Sequence, residues 1–419
     1  MKVKFSQFPL DLVALELVLI LANLRASISW TLFPETSALT DAAWIEIGFW
    51  LIPVLLIALT LSRSGLLRIY LLEWRKNWLL LLFILFSLAS IFWSISFSAS
   101  LYRALTLVFA SLAGAYLGIR YGNSGILKIL FWFGAVVLIL SVVLAFIFPS
   151  IATMVWTPYN GAWRGIYWHR NHLGSIAALL NAVYLIRAVS GIQKKQKEAI
   201  LDVVMYLLSI AVIYLAASAA GYILIVLLHL AIALSFVWLK VAHALKPVHY
   251  YAFLIVFAIG LILVFANLEF VFSLVNRSPT MTGRTGLWVY LFQNVISQSP
   301  WFGYGFGAIW TFASFRTGTQ ELLGWGYPIA IADNGFIDIL FHVGLLGLML
   351  FMGVLILAVV RSFRYALAHR NLLDFFPLLL LFYSLVANIS FSLFLETESF
   401  IWMLVISMLF LSAKKADTA

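Results

Sequence analysis

The sequence contains no cysteine. Disulfides, thiolate metal sites and cysteine nucleophiles are therefore excluded. Charge is nearly as scarce, at 10% of residues, and acidic residues number only 16. There is no low-complexity linker and no obvious internal repeat. No glycine-rich loop runs into a Lys followed by Ser or Thr, and no Asp-x-Asp pair occurs. The basic connections are too short to hold a nucleotide-binding domain, so ATP-driven transport by this chain alone is not expected. Nothing points to a metal or a cofactor.

What remains is apolar: 64% of residues, with a mean hydropathy of +1.06. About 20 consecutive apolar residues cross the hydrocarbon core as a helix. The runs are continuous rather than alternating, which excludes a transmembrane barrel. The expected fold is an all-α integral membrane protein with about 12 transmembrane helices and one long outer, periplasmic loop carrying short helices. The spans are placed near 10–29, 44–61, 78–97, 101–119, 126–148, 173–188, 200–217, 219–239, 250–268, 335–359, 374–394 and 399–412. Residues 1–419 read as a single polytopic domain, with a first outer site loop at 149–172 and a long outer site loop at 269–333.

Charge sets the expected orientation. Arg63 to Lys76, Arg187 to Lys197, Lys240 to Lys246 and Arg361 to Arg370 are basic connections and belong on the cytoplasmic side. Both termini then fall in the cytoplasm, as in a multi-pass protein of a bacterial inner membrane. The first span reads as an uncleaved anchor. The net charge of +10 suits an anionic lipid surface and is no evidence for nucleic acid. On this topology seven basic residues lie at or near the outer side, and all are arginine: Arg25, Arg103, Arg164, Arg170, Arg277, Arg284 and Arg316. Guanidinium recognises phosphate with two parallel hydrogen bonds. Arginines gathered in outer loops therefore point to an anionic, phosphate-bearing ligand.

The first loop ends Trp163-Arg164-Gly165-Ile166-Tyr167-Trp168-His169-Arg170-Asn171-His172-Leu173-Gly174. Arg170, Asn171 and His172 are expected in the first turn of a helix, where free N–H groups favour anions. A rim of interfacial aromatics accounts for Trp163, Tyr167 and Trp168, but not for two arginines and two histidines. In the long loop, Thr282 or Thr285 is expected to cap a helix over Leu287–Ile296, placing Arg284 at its N-terminus. The alternative for Arg284 is a fold-holding ion pair with Glu269 or Glu321. Next comes Gly303-Tyr304-Gly305-Phe306-Gly307, where glycines allow tight turns and aromatic rings suit sugars. Asn334, Asp338 and His342 share one helix face, and a hydrogen-bond network between helices accounts best for His342. Gly344 and Gly347 are expected to permit close helix packing. Glycine- or proline-interrupted span pairs, which mark transporter sites, are not evident.

These pieces resemble the bacterial O-antigen ligase and Wzy-type polysaccharide polymerase superfamily. They are Gly165 with His169 to Gly174, Thr282 to Thr285, Gly303 to Gly307, and Asn334-Gly335-Phe336 with Gly344 to Gly347, in family order. The segment Arg170-Asn171-His172-Leu173-Gly174 looks closer to the exopolysaccharide polymerase branch. The resemblance implies a glycosyltransferase working without metal or nucleotide sugar. It would move an undecaprenyl-diphosphate-linked glycan to an acceptor sugar hydroxyl at the periplasmic face. Flippase and chain-length-control proteins are the partners it suggests. Alternatives are a ligase acting on lipid A core and a bicarbonate or anion transport-related protein of the same superfamily. Arg164, Arg170 and Arg284 would bind the diphosphate. Trp163, Asn171, Tyr304 and Asn334 would contact substrate. Asp333 stands where ligases carry their proposed histidine base, and His172 and His169 are the other candidates.

Overall fold

A computed structural model describes residues 41–155, 159–241, 284–311, 331–369, 371–394 and 400–416. Two expected spans, near 10–29 and 250–268, lie outside these residues. Each of the other ten overlaps a helix. In chain order these are α1 (Asp41–Arg63), α2 (Leu67–Lys76), α3 (Trp78–Ala89), α4 (Phe97–Arg120), α5 (Asn123–Ile147), α6 (Arg170–Gln193), α7 (Ala199–Ala216), α8 (Ala219–Val241), α9 (Arg284–Asn294), α10 (Gly335–His369), α11 (Phe376–Ala387) and α12 (Phe400–Ala416). Of these, α2 lies in an expected basic connection and α9 in the expected long loop. There is no strand among the described residues, only one antiparallel bridge between Thr153 and Trp163.

Among the described residues six helices, α4 to α8 and α10, are long and apolar enough to cross a membrane. A seventh crossing is possible if α1 and α2, bent by 114° from each other, count as one. This is a multi-pass membrane protein. Apolar side chains on the outside of the bundle, such as Leu55, Leu85, Phe146, Val226 and Ile356, fit that reading, because lipid rather than water covers them.

Helices approach most closely where side chains vanish. On α4, a Cβ added at Gly114 would sit 2.4 Å from the Met403 carbonyl oxygen, and one at Gly118 would sit 2.2 Å from that of Ser407. Small residues four apart let α4 and α12 come into backbone contact. Gly174 on α6 and Gly221 on α8 cross in the same way.

The expected packing role of Gly344 needs correction. Gly344 has φ +66 and ψ −169, which no helix contains, and it breaks α10. An unbroken helix would bond Leu345 N–H to Phe341 O and Leu346 N–H to His342 O. Here Leu345 donates to Pro300 O at 2.8 Å and Leu346 to Trp301 O at 3.3 Å. The released carbonyls accept from Tyr304 N–H at 2.9 Å and Gly305 N–H at 3.1 Å. Loop 300–305 thus replaces two lost helical bonds with four of its own. α10 is thus one span interrupted at glycine, and the protein's own loop fills the break.

The helix ends sort into two sets. Arg361 donates to Asn77 Oδ1 and Lys76 O, Asn123 to Leu373 O, and Arg187 to Asp202. These bonds gather the described parts of three basic connections at one end. The arginine-bearing loops lie at the other.

Candidate functional site

The loop before α6 is pinned from several sides. Trp163 N–H donates to Leu215 O, and its ring meets Phe146 edge-on. Arg164 reaches back with its side chain, Nε to Ile151 O at 2.7 Å and a terminal nitrogen to Trp168 O at 3.2 Å. Gly165 has φ +60 and leaves no room for a Cβ, which would strike the Ser141 hydroxyl of α5, so both backbone and packing call for glycine. This fixes the run into α6, which begins at Arg170, so Arg170, Asn171 and His172 do form its first turn.

His169 caps that turn. Its Nδ1 accepts from Asn171 N–H at 3.2 Å, so the proton of the neutral ring sits on Nε2. Burial pushes its pKa down to about 3, helped by the charges of His172, Arg170, Arg284 and Arg164. A ring that is already engaged and does not protonate near neutrality is poorly placed to act as a base. This geometry speaks against His169 in that role. Burial also lowers the Arg164 pKa.

Arg170 is buried, with its guanidinium 3.8 Å from the Tyr159 ring centroid. It donates to the carbonyl of Ala217, a residue with φ +48 that ends α7. A cation at a helix C-terminus is favourable, and here it also holds a corner. Asn171 joins the same corner, its Oδ1 accepting from Ser218 Oγ at 3.1 Å. Ser218 in turn caps α8 by accepting from Gly221 N–H at 3.2 Å. Arg170, Asn171 and Gly174 thus clamp α6 to the α7–α8 turn. His172 is buried among the rings of Tyr167, Trp168 and Phe391.

In the second loop, α9 begins at Arg284, so Thr285 lies inside the helix rather than capping it. Thr282, Glu269 and Glu321 lie outside the described residues. The observed partner of Arg284 is Asp333: Nε donates to Oδ2 at 3.0 Å, with the two side chains 15% and 23% exposed. Asp333 has φ +52, a left-handed backbone uncommon outside glycine. Trp288 Nε1 donates to the neighbouring Ala332 O at 2.8 Å, fixing the segment against α9.

The remaining expected contacts have structural partners. Tyr304 donates its hydroxyl to Val295 O at 2.7 Å. Asn334 caps α10, its Oδ1 accepting from Phe336 and Ile337 N–H, while Nδ2 donates to Ile389 O. Both polar ends of the side chain are therefore used inside the fold. Asp338, on the polar stripe of α10, is a hub. It accepts from Trp310 Nε1 at 2.8 Å, Ala332 N–H at 3.2 Å and the Ser392 hydroxyl.

Residues 204–352 match the family model described as O-Antigen ligase. That region holds α8, α9, Arg284, Asp333 and the break in α10. It supports the superfamily and, with the apolar helices, a membrane enzyme of the glycan ligase or polymerase kind. The O-Antigen ligase match covers about a third of the chain and leaves the Arg164–His172 loop outside. Bonds from Arg170 and Asn171 to Ala217 and Ser218 tie that loop to the matched region. No curated protein matches the chain.

Proposed function

We propose that this protein is a polysaccharide repeat-unit polymerase. It moves an undecaprenyl-diphosphate-linked glycan to an acceptor sugar hydroxyl at the periplasmic face of a bacterial inner membrane. The observation that carries this reading is the Arg284–Asp333 pair, Nε to Oδ2 at 3.0 Å, within the matched region. A guanidinium beside a displaceable carboxylate suits a phosphate-bearing ligand. The family-model match over residues 204–352 supports the glycan chemistry.

In the proposed mechanism Arg164 and Arg284 hold the diphosphate. Arg170, committed to Ala217, adds positive field and keeps the loop in place. The acceptor hydroxyl oxygen bonds to the anomeric carbon as the bond from that carbon to the diphosphate oxygen breaks. The electron pair leaves with undecaprenyl diphosphate, whose charge the arginines stabilise. The hydroxyl proton goes to Asp333, and the anomeric configuration inverts. The Arg284–Asp333 pair gives this step an order. An incoming diphosphate carries more charge than one carboxylate and displaces Asp333 from Arg284, leaving its oxygen for the acceptor. His172, enclosed by aromatic rings, is the second candidate base.

The test uses the purified chain in lipid with lipid-linked repeat units. Asp333→Asn preserves shape and removes basicity, and should lower turnover about 100-fold or more. Near-normal turnover by Asp333→Asn, together with loss in His172→Ala, would transfer the role to His172. Product on lipid A core instead of on a second repeat unit would make the protein a ligase.

A further inference from the structure

The mechanism above draws only on the arginine-bearing end. At the opposite, basic end α2 is set apart from the spans around it. Gly65, with φ +66, turns the chain after α1, and α2 leaves at 114° to it. Its 10 residues reach about 15 Å, half the hydrocarbon core, so α2 does not cross a membrane alone. One face is anchored to the bundle. Tyr70 donates its hydroxyl to Leu112 O of α4 at 2.9 Å, and the Trp74 ring lies 5.2 Å from that of Phe410 on α12. Arg361 of α10 donates to the Lys76 carbonyl where α2 ends. The helix therefore lies across the end of the bundle rather than along it.

The outward side of α2 mixes two chemistries. Leu67, Ile69, Leu71 and Leu72 are exposed, and so are Arg68, Arg75 and Lys76. Glu73 is the one acidic residue of the helix and pairs with Lys76 at 3.3 Å. Water disfavours four exposed aliphatic side chains on so short a helix, and hydrocarbon disfavours three cations. The boundary between the two accepts both. Ile69, Leu72, Glu73, Arg75 and Lys76 also line an open cleft of about 410 Å³. Its aliphatic residues suit an acyl chain. Its arginine suits a phosphate, which guanidinium grips with two parallel hydrogen bonds.

We propose that α2 is an interfacial helix that binds an anionic phospholipid of the adjoining leaflet, with its phosphate on Arg75 and its acyl chain along Ile69 and Leu72. Arg68 adds positive field beside them. Charge decides the occupant, since α2 carries three cations against one carboxylate. The claim does not depend on the protein being a polymerase.

The test uses the full chain in nanodiscs. The chain has no cysteine, so one introduced cysteine carries one label. Nitroxides on Leu71→Cys and on Leu72→Cys should collide readily with oxygen and little with a water-soluble nickel chelate. Free access of the chelate at both positions would put α2 in water. Exclusion of both reagents would put it under protein, and either result overturns the proposal. Replacing phosphatidylcholine with phosphatidylglycerol should raise the unfolding midpoint by roughly 2–4 °C. Arg68→Gln with Arg75→Gln should lose about half of that rise or more. Lys194→Gln with Lys197→Gln removes the same charge from the connection between α6 and α7 and should keep the rise. A full rise in the α2 variant would overturn the proposal. So would an equal loss in both variants, which would mark a general effect of charge. A rise produced by inorganic phosphate in phosphatidylcholine alone would assign the cleft to a soluble anion and overturn it as well.

Discussion

Arg284 donates to Asp333 across 49 residues of chain, Nε to Oδ2 at 3.0 Å. An arginine at the start of α9 and a carboxylate just before α10 are thereby held face to face. On the proposed mechanism the pair is a resting state that substrate opens.

Arg284→Ala should therefore abolish polymer formation, by about 100-fold or more. Arg284→Lys should restore part of it, since Lys offers a point charge instead of a fork. Polymer at normal levels from Arg284→Ala protein present in the membrane would remove Arg284 from the mechanism.

His169 should govern acid stability rather than turnover. Its pKa in the fold is about 3, below the ordinary imidazole value of about 6.5. The unfolded chain takes up the proton first. The stabilisation is complete above about pH 6.5 and is lost progressively as pH falls towards 3. His169→Asn keeps a side-chain acceptor for the helix N-terminus and should flatten this decline in a melting series. It should also keep polymer formation. His169→Ala removes the cap and should cost about 1 kcal/mol. A loss of turnover in His169→Asn with stability intact would restore His169 as a catalytic group.

Arg170→Ala should harm the fold as well as the activity. It strips the Ala217 carbonyl of its donor and leaves Tyr159 without its stacked guanidinium. A cost of about 3 kcal/mol is expected for breaking a buried charged bond. Size-exclusion profiles and melting of the purified variant read this directly. A fully stable Arg170→Ala protein that makes no polymer would return Arg170 to ligand binding.

Gly344→Ala should be among the most damaging single substitutions. The new Cβ would meet the Trp301 backbone at 2.2 Å, and φ +66 disfavours any side chain. Gly353→Ala on the same helix meets only Leu79, at 3.7 Å, and should be tolerated. Equal yields of folded protein from the two variants would contradict the break as described.

Apolar runs are enough to place the ten described spans on helices, because lipid leaves the chain few other ways to satisfy its backbone. They are also enough to start α6 at Arg170. Partners are harder to read. The run Gly344-Leu345-Leu346-Gly347 looks like packing glycines, and only the arrival of loop 300–305 makes it a break. Arg170 and Asn171 grip a corner formed by Ala217 and Ser218; serine is an ordinary helix cap, but alanine gives no sign of the left-handed turn before it. Asp338 shows in the sequence as a stripe residue, while its donors Trp310, Ala332 and Ser392 come from three separate segments.

The interruption at Gly344 also bears on how the protein is made. Loop 300–305 is synthesised before α10, and neither can satisfy its backbone alone in hydrocarbon. The four bonds between loop 300–305 and the break complete each other's backbone, so this part of α10 and its loop should enter the bilayer as one unit.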